Sequence, residues 1–149
     1  MKRIKDSRGI INRFSGKYFF LSNFAFCDVV YEGTTYKTVE HAFQASKSLD
    51  TDTRKLFLQA DTPADAKRLG RQVKLRSDWE SVKLDIMKEL LRQKFNQEPF
   101  HTLLVGTGNA ELVEGNYWND TYWGVCNGIG ENHLGKLLME IRQEINNFN

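Results

Sequence analysis

Glu40, Gln44 and Lys47 recur at i, i+4 and i+7 within Glu40-His41-Ala42-Phe43-Gln44-Ala45-Ser46-Lys47. On a helix that spacing sets a carboxylate, an amide and an amine along one side. Glu40 falls in the first turn, where the helix dipole favours a negative charge. The group fits proton transfer beside a cation; it also fits a solvated charged face. His41 lies between the polar and apolar sides and reads as structural. A second group is the loop Asn116-Tyr117-Trp118-Asn119-Asp120-Thr121-Tyr122-Trp123-Gly124-Val125. Aromatic rings give flat apolar walls for a ligand, and Asn and Asp fix hydroxyls or ring nitrogens. The same residues also suit two core tryptophans around an Asx turn at Asn119-Asp120.

Two further segments carry polar groups in unusual places. Ser22 and Asn23 interrupt the apolar run Tyr18-Phe19-Phe20-Leu21-Ser22-Asn23-Phe24, so they need partners in a turn or on a ligand. Gly128-Ile129-Gly130-Glu131-Asn132-His133-Leu134-Gly135-Lys136 is Gly-rich and opens a helix. Its N–H groups suit a phosphate or a plain helix start, and it is neither a Walker loop nor a dinucleotide fingerprint.

The elements that position these groups follow from periodicity and caps. Aromatic, strand-like residues run from Phe14 to Phe26, and a hairpin joins Cys27–Glu32 to Thr35–Thr38 around Gly33-Thr34. Thr38 is placed to cap a helix from Val39, whose apolar face is Val39, Ala42, Phe43 and Ser46. Helices are predicted over 53–59, from Asp61-Thr62-Pro63 to Gly70, from Ser77-Asp78-Trp79-Glu80 to about Asn96, and over 98–104. A short strand at 111–115 follows, and Asn132 is placed to cap a last helix over 133–145. The pattern is α+β, one mostly helical domain over 1–149 with a small antiparallel sheet.

Composition bounds the rest. At 149 residues and 40% hydrophobic content, the chain suffices for one domain with a core. No apolar run approaches the roughly 20 residues of a membrane helix, and the basic Met1-Lys2-Arg3-Ile4-Lys5-Asp6 is followed by no signal-like stretch. A net charge of +2 predicts no broad nucleic-acid footprint. Cys27 and Cys126 show no metal-ligand spacing, so a cytoplasmic protein with free thiols and no metal is expected, with one disulfide the other possibility.

Four segments stand in one order: Phe14 with Leu21-Ser22-Asn23-Phe24; Tyr36-Lys37-Thr38-Val39-Glu40 through Lys47; Trp118-Asn119-Asp120 with Trp123-Gly124; and Gly130-Glu131-Asn132-His133-Leu134-Gly135-Lys136 through Met139, with Arg142. Together, from about Arg13 to Ile145, they resemble the NADAR family, also called YbiA-like proteins. The resemblance implies a compact α+β fold and an N-glycosidase that needs no metal or cofactor. It implies a small nucleotide-like substrate: one branch of the family hydrolyses ribosylamino-pyrimidine 5′-phosphates of early riboflavin synthesis. The alternative is the branch that removes ADP-ribose from guanine bases of nucleic acid, and a non-catalytic ADP-ribose or nucleotide-binding module is the reading outside enzymes.

Under the resemblance, Glu40 is the expected acid/base and Asp120 the partner to ribose or to water, since loosening a ribosylamine places positive charge at C1′. Lys47 has two possible roles, a cation for phosphate or an amine forming a Schiff base at C1′, the latter requiring burial or cationic neighbours. Arg13, Ser22, Asn23, Phe24, Gln44, Trp118, Asn119, Trp123 and Gly124 are the expected substrate-binding residues. Arg13 is preferred over Arg71 and Arg92 for phosphate, and Trp79 is read as core.

Overall fold

The computed structural model describes residues 9–148. The Met1-Lys2-Arg3-Ile4-Lys5-Asp6 segment lies outside the described residues. In chain order the elements are β1 (Ile10–Ile11), a 3-10 helix (Gly16–Leu21), β2 (Phe26–Tyr31), β3 (Thr34–Thr38), α1 (Val39–Ala45), α2 (Thr51–Gln59), α3 (Pro63–Gly70), α4 (Trp79–Phe95), α5 (Phe100–Val105), β4 (Glu111–Leu112), β5 (Gly115–Asn116), β6 (Val125–Cys126) and α6 (His133–Phe148). They divide into two compact units, residues 23–97 and residues 9–22 with 98–148. The class is α+β, and the strands form three two-stranded sheets.

In the unit of residues 23–97, β2 and β3 form an antiparallel hairpin with Tyr31 opposite Thr34. The turn is Glu32-Gly33, one residue earlier than the sequence suggests. Both residues have positive φ, 46° and 84°, as a type I′ turn requires. Arg54 of α2 holds it, donating to Glu32 Oε1 at 2.6 Å and lying 5.0 Å from the Tyr31 ring centre. The period-two pattern puts Cys27 and Val29 inside and Phe26, Asp28 and Val30 outside. Three helix starts are capped as side-chain chemistry predicts: Thr38 accepts from the N–H of His41, Asp50 from that of Thr53, and Thr62 from that of Asp65. Long helix α4 buries Met87, Leu90, Leu91, Lys94 and Phe95. The central element is α1, against which β2, β3, α2, α3 and α4 all pack.

In the unit of residues 9–22 and 98–148, β1 and β4 pair in parallel, as do β5 and β6. Helix α6 packs on β4, and α5 packs on both α6 and the 3-10 helix. The aromatic run before Phe26 is therefore a 3-10 turn, not a strand. Gly16 enters it at φ 59°, and Phe20 and Leu21 are buried together at its end. Asn132 differs from expectation as well. Its side chain does not cap α6 but bridges to β4, donating to Leu112 O at 2.9 Å and accepting from Glu114 N at 3.0 Å. Cys27 and Cys126 are buried free thiols. No helix among the described residues is long and apolar enough to cross a membrane.

Candidate active site

Every residue of α1 is buried, including Glu40 at 7% exposure and Gln44 at 6%. The charged side of this helix is therefore an interior one. A buried carboxylate and amide need partners, and these two find each other: Gln44 Nε2 donates to Glu40 Oε2 at 2.6 Å. Glu40 is also tied to the first motif, because its N–H donates to Asn23 O at 3.2 Å. Asn23 Nδ2 points at Met87 Sδ, 3.6 Å away. Two buried acceptors, Asn23 Oδ1 and Gln44 Oε1, have no hydrogen-bond donor. A buried acceptor without a donor costs about 1–3 kcal/mol, so such atoms point to strain or to a ligand.

His41 takes no part in this group. Thr38 Oγ1 accepts from its N–H at 2.9 Å and donates to Nδ1 at 2.7 Å, while Nε2–H donates to Ala60 O at 3.0 Å. That network holds the neutral ring with its proton on Nε2, and burial lowers its pKa. It is a structural histidine.

Lys47 lies two residues beyond the end of α1 and is half-buried. Its backbone is fixed from two sides: its N–H donates to Gln44 O at 3.2 Å, and its carbonyl accepts from Arg76 N at 2.8 Å. Arg76 is clamped in turn by Asp78, at 2.6 and 3.1 Å. Burial lowers the Lys47 pKa. Glu40 opposes that shift, and Arg71, Lys67 and Lys83 add to it. The amine thus has both conditions that favour a neutral nucleophile, loss of water and cationic neighbours.

The aromatic loop belongs to the other unit and is built on hydrogen bonds from two side chains. Asp120 Oδ1 accepts from Tyr122 N at 3.1 Å and Trp123 N at 2.9 Å, an Asx-type turn. Asn116 Oδ1 accepts from Trp118 N and Asp120 N, and its Nδ2 donates to Asp120 O. Asn119 sits at φ 68°, which Asn tolerates better than most residues. Gly124 is a contact glycine, since a Cβ there would strike Glu114 O and Oε1. The loop carbonyls of Thr121, Tyr122, Trp123 and Gly124 accept from the N–H groups of Glu131, His133, Leu134 and Asn132. The Gly-rich segment therefore spends those donors on the loop and is a helix start, not an open phosphate cradle. Tyr122 and Trp123 meet edge to face at 4.9 Å, while Trp118 is 48% exposed.

The structure thus gathers Asn23, Glu40, Gln44 and Lys47 in one unit, with Phe24 half-buried in the same unit. Trp118, Asn119, Asp120, Trp123 and Gly124 cluster in the other, which also holds Ser22 and exposed Arg13. Trp79 is core, 6% exposed and 5.0 Å from the Phe43 ring. Sequence reasoning missed Glu114 and the cations Lys67 and Lys83, took Asn116 only as the first residue of the aromatic loop, and read Asn132 as a helix cap. Among the described residues no group of three or more His, Cys, Asp or Glu is placed to hold a metal ion.

Residues 6–146 match the NADAR domain, so the chain belongs to the NADAR family. It is 44% identical over 142 residues to N-glycosidase YbiA of Shigella flexneri serotype 5b, covering 91% of this chain and 88% of that protein. It is 36% identical over 130 residues to a riboflavin biosynthesis protein of Vibrio vulnificus, covering 85% of this chain and 35% of that longer protein. The NMR structure of Escherichia coli YbiA matches with a TM-score of 0.84 at 41% identity, over 95% of this chain and 87% of the other.

Proposed function

We propose that this chain hydrolyses the C1′–N bond of ribosylamino-pyrimidine 5′-phosphates, the early intermediates of riboflavin synthesis, with Lys47 as nucleophile and Glu40 as acid/base. The class is a hydrolase of N-glycosyl bonds. The observation that carries the chemistry is Lys47 itself: half-buried, its carbonyl held by Arg76 N–H, and its pKa lowered by burial and by Arg71, Lys67 and Lys83, two turns along the same side from the buried carboxylate of Glu40.

The steps balance with one water. The ring oxygen O4′ leaves C1′ and takes a proton from Glu40, leaving an iminium between C1′ and the base nitrogen. The lone pair of neutral Lys47 Nζ adds to C1′. A proton passes from Nζ to the base nitrogen through Glu40, and the C1′–N bond breaks with its electron pair on the departing amine. The protonated Lys47–C1′ imine that remains takes up water, whose oxygen becomes the sugar carbonyl oxygen; Lys47 is released as neutral amine and the proton set free returns to Glu40. Gln44 orients Glu40 throughout. Asn23 Oδ1 is free to accept from a ligand hydroxyl or amino group. Trp118, Asn119 and Trp123, with Arg13, Ser22 and Phe24, are carried over from the resemblance as ligand-binding residues. Asp120 acts by holding the loop through Oδ1.

The experiment is base release by HPLC from a ribosylamino-pyrimidine 5′-phosphate beside a guanine-ADP-ribosylated oligonucleotide. Release from the first is expected, with Glu40→Gln slower by about a hundredfold or more, as loss of a general acid/base entails. Release from the oligonucleotide alone would overturn the substrate, and a fully active Glu40→Gln would overturn the role of the carboxylate.

A further inference from the structure

Arg142 of α6 is buried, at 8% exposure, and among the described residues no carboxylate meets it. Arg54 and Arg76, which are only partly buried, show the usual arrangement. Arg54 places Nη1 on Glu32 at 2.6 Å and Nε on Ser48 O at 2.7 Å. Arg76 spends Nε and Nη2 on Asp78 and Nη1 on Tyr31 Oη. Arg142 makes one hydrogen bond among the described residues: Nη1 donates to Thr107 Oγ1 at 2.8 Å. That hydroxyl is neutral, and it donates its own proton to Leu104 O at 2.6 Å. Thr107 is itself buried, in the turn Gly106-Thr107-Gly108 that follows α5. Burial lowers the Arg142 pKa, but a guanidinium stays charged at neutral pH. With Nη1 on Thr107, the edge formed by Nε and Nη2 is left over, and neither atom is sealed from solvent. That edge carries two parallel N–H donors, a fork that grips two oxygens of one anion.

We propose that Arg142, anchored by Thr107, forms a binding site for a phosphoryl group, with its Nε–Nη2 edge on two phosphate oxygens. A charge held out of water beside neutral partners alone is costly. Cross-linking α6 to Thr107 does not require that cost, because a neutral donor would make the same hydrogen bond. A bound anion gives the charge its purpose. A phosphate monoester carries a charge of about −1.5 to −2 at pH 7, enough to neutralise the guanidinium, and its planar pairs of oxygens match the fork. The site lies within the unit of residues 9–22 and 98–148. Arg142 stands nine residues beyond His133, whose ring packs on Tyr122 at 4.4 Å, and so about 13 Å along α6 from the aromatic loop. It is a place for a group other than the one the loop holds, and it stands whether or not Lys47 forms an imine.

The test is a proton–nitrogen NMR titration that needs no turnover. Sodium phosphate is added to the wild type, with sodium chloride at matched ionic strength as the control. The Nε–H resonance of Arg142, identified by its absence from Arg142→Lys, is expected to shift and saturate with phosphate and not with chloride. The backbone amides of Thr107 and Gly108 report the affinity in both proteins. Arg142→Lys keeps the charge and loses the fork, so it weakens phosphate binding at least about tenfold. Ribose 5-phosphate and ADP-ribose are the other arms. Tighter binding of either than of inorganic phosphate, still dependent on Arg142, supports the site and assigns a monoester or a pyrophosphate as its source. Matching thermal melts establish that Arg142→Lys folds, and the wild-type titration decides the matter if it does not. An Arg142 Nε–H indifferent to all three ligands overturns the site, as does equal affinity in a folded Arg142→Lys.

Discussion

Replacing Gly70 by alanine separates a packing argument from a propensity argument, because the two predict opposite signs. Alanine is favoured over glycine within a helix by up to about 1 kcal/mol, and Gly70 needs no positive φ, so propensity alone predicts a gain. The structure predicts a loss. The new methyl would occupy the position of Gln44 Oε1, so the amide must leave the place from which it donates to Glu40 at 2.6 Å. A hydrogen bond to a charged group contributes about 1.5–3 kcal/mol. With the propensity gain subtracted, net destabilisation is roughly 1–2 kcal/mol, a fall in Tm of roughly 2–8 °C for a chain of this size. Base release falls about 10–100-fold if Gln44 orients Glu40. The assay is thermal denaturation together with HPLC turnover, repeated in a Gln44→Ala background. There the methyl meets an empty space, and Gly70→Ala becomes neutral or stabilising, as a coupled pair requires. A higher Tm for Gly70→Ala with Gln44 in place would refute the packing argument.

Other outcomes follow from the same groups. kcat/KM rises with pH as Lys47 loses its proton, with a midpoint below the ordinary lysine range, and Arg71→Gln or Lys67→Gln moves that rise to higher pH; a rise indifferent to both substitutions contradicts the assignment. Buried Lys94, pushed down to about 7 by loss of water, binds fewer protons folded than unfolded between its folded value and the ordinary lysine value. Stability therefore rises with pH from about 7 toward 9, by up to about 1.4 kcal/mol per unit, and urea titrations of Lys94→Met lack that slope. Above that window the Cys27 thiol, raised by burial, acts in the opposite sense. Asp120→Asn keeps an oxygen for the N–H groups of Tyr122 and Trp123 and retains most activity, whereas Asp120→Ala speeds hydrogen exchange at 122–123; an inactive Asp120→Asn with normal exchange would give the carboxylate a chemical role. His41→Gln lowers Tm but leaves kcat of the folded protein nearly unchanged, as its internal hydrogen bonds require.

Much of the fold was legible where local chemistry decides it. Thr38 and Thr62 each cap the helix expected after them, and the alternation of Cys27 and Val29 with their outward neighbours marks a strand; the helix expected from Thr53 begins two residues earlier, at Thr51, where Asp50 caps it. The strand expected before Phe26 failed because Tyr18-Phe19-Phe20-Leu21 does not alternate; a tight turn entered through Gly16 buries Phe20 and Leu21 side by side. Asn132 has the residue type of a cap, but its side chain finds better partners on β4, a tertiary choice that local spacing does not reveal. The largest gap concerns α1. Glu40, Gln44 and Lys47 have the spacing of a solvated helix face, and periodicity cannot distinguish such a face from a polar stripe enclosed by five other elements. Their grouping was readable; their burial, and the cations α3 and α4 bring to Lys47, depend on contacts distant in sequence.

The central claim is that Lys47 bonds covalently to C1′ during turnover. Borohydride added during hydrolysis of a ribosylamino-pyrimidine 5′-phosphate, followed by peptide mass spectrometry, tests it directly. The account predicts a reduced ribose-phosphate adduct on the peptide bearing Lys47, absent without substrate and absent in Lys47→Arg. Continued base release with no adduct on Lys47, or undiminished turnover by Lys47→Arg, would contradict it.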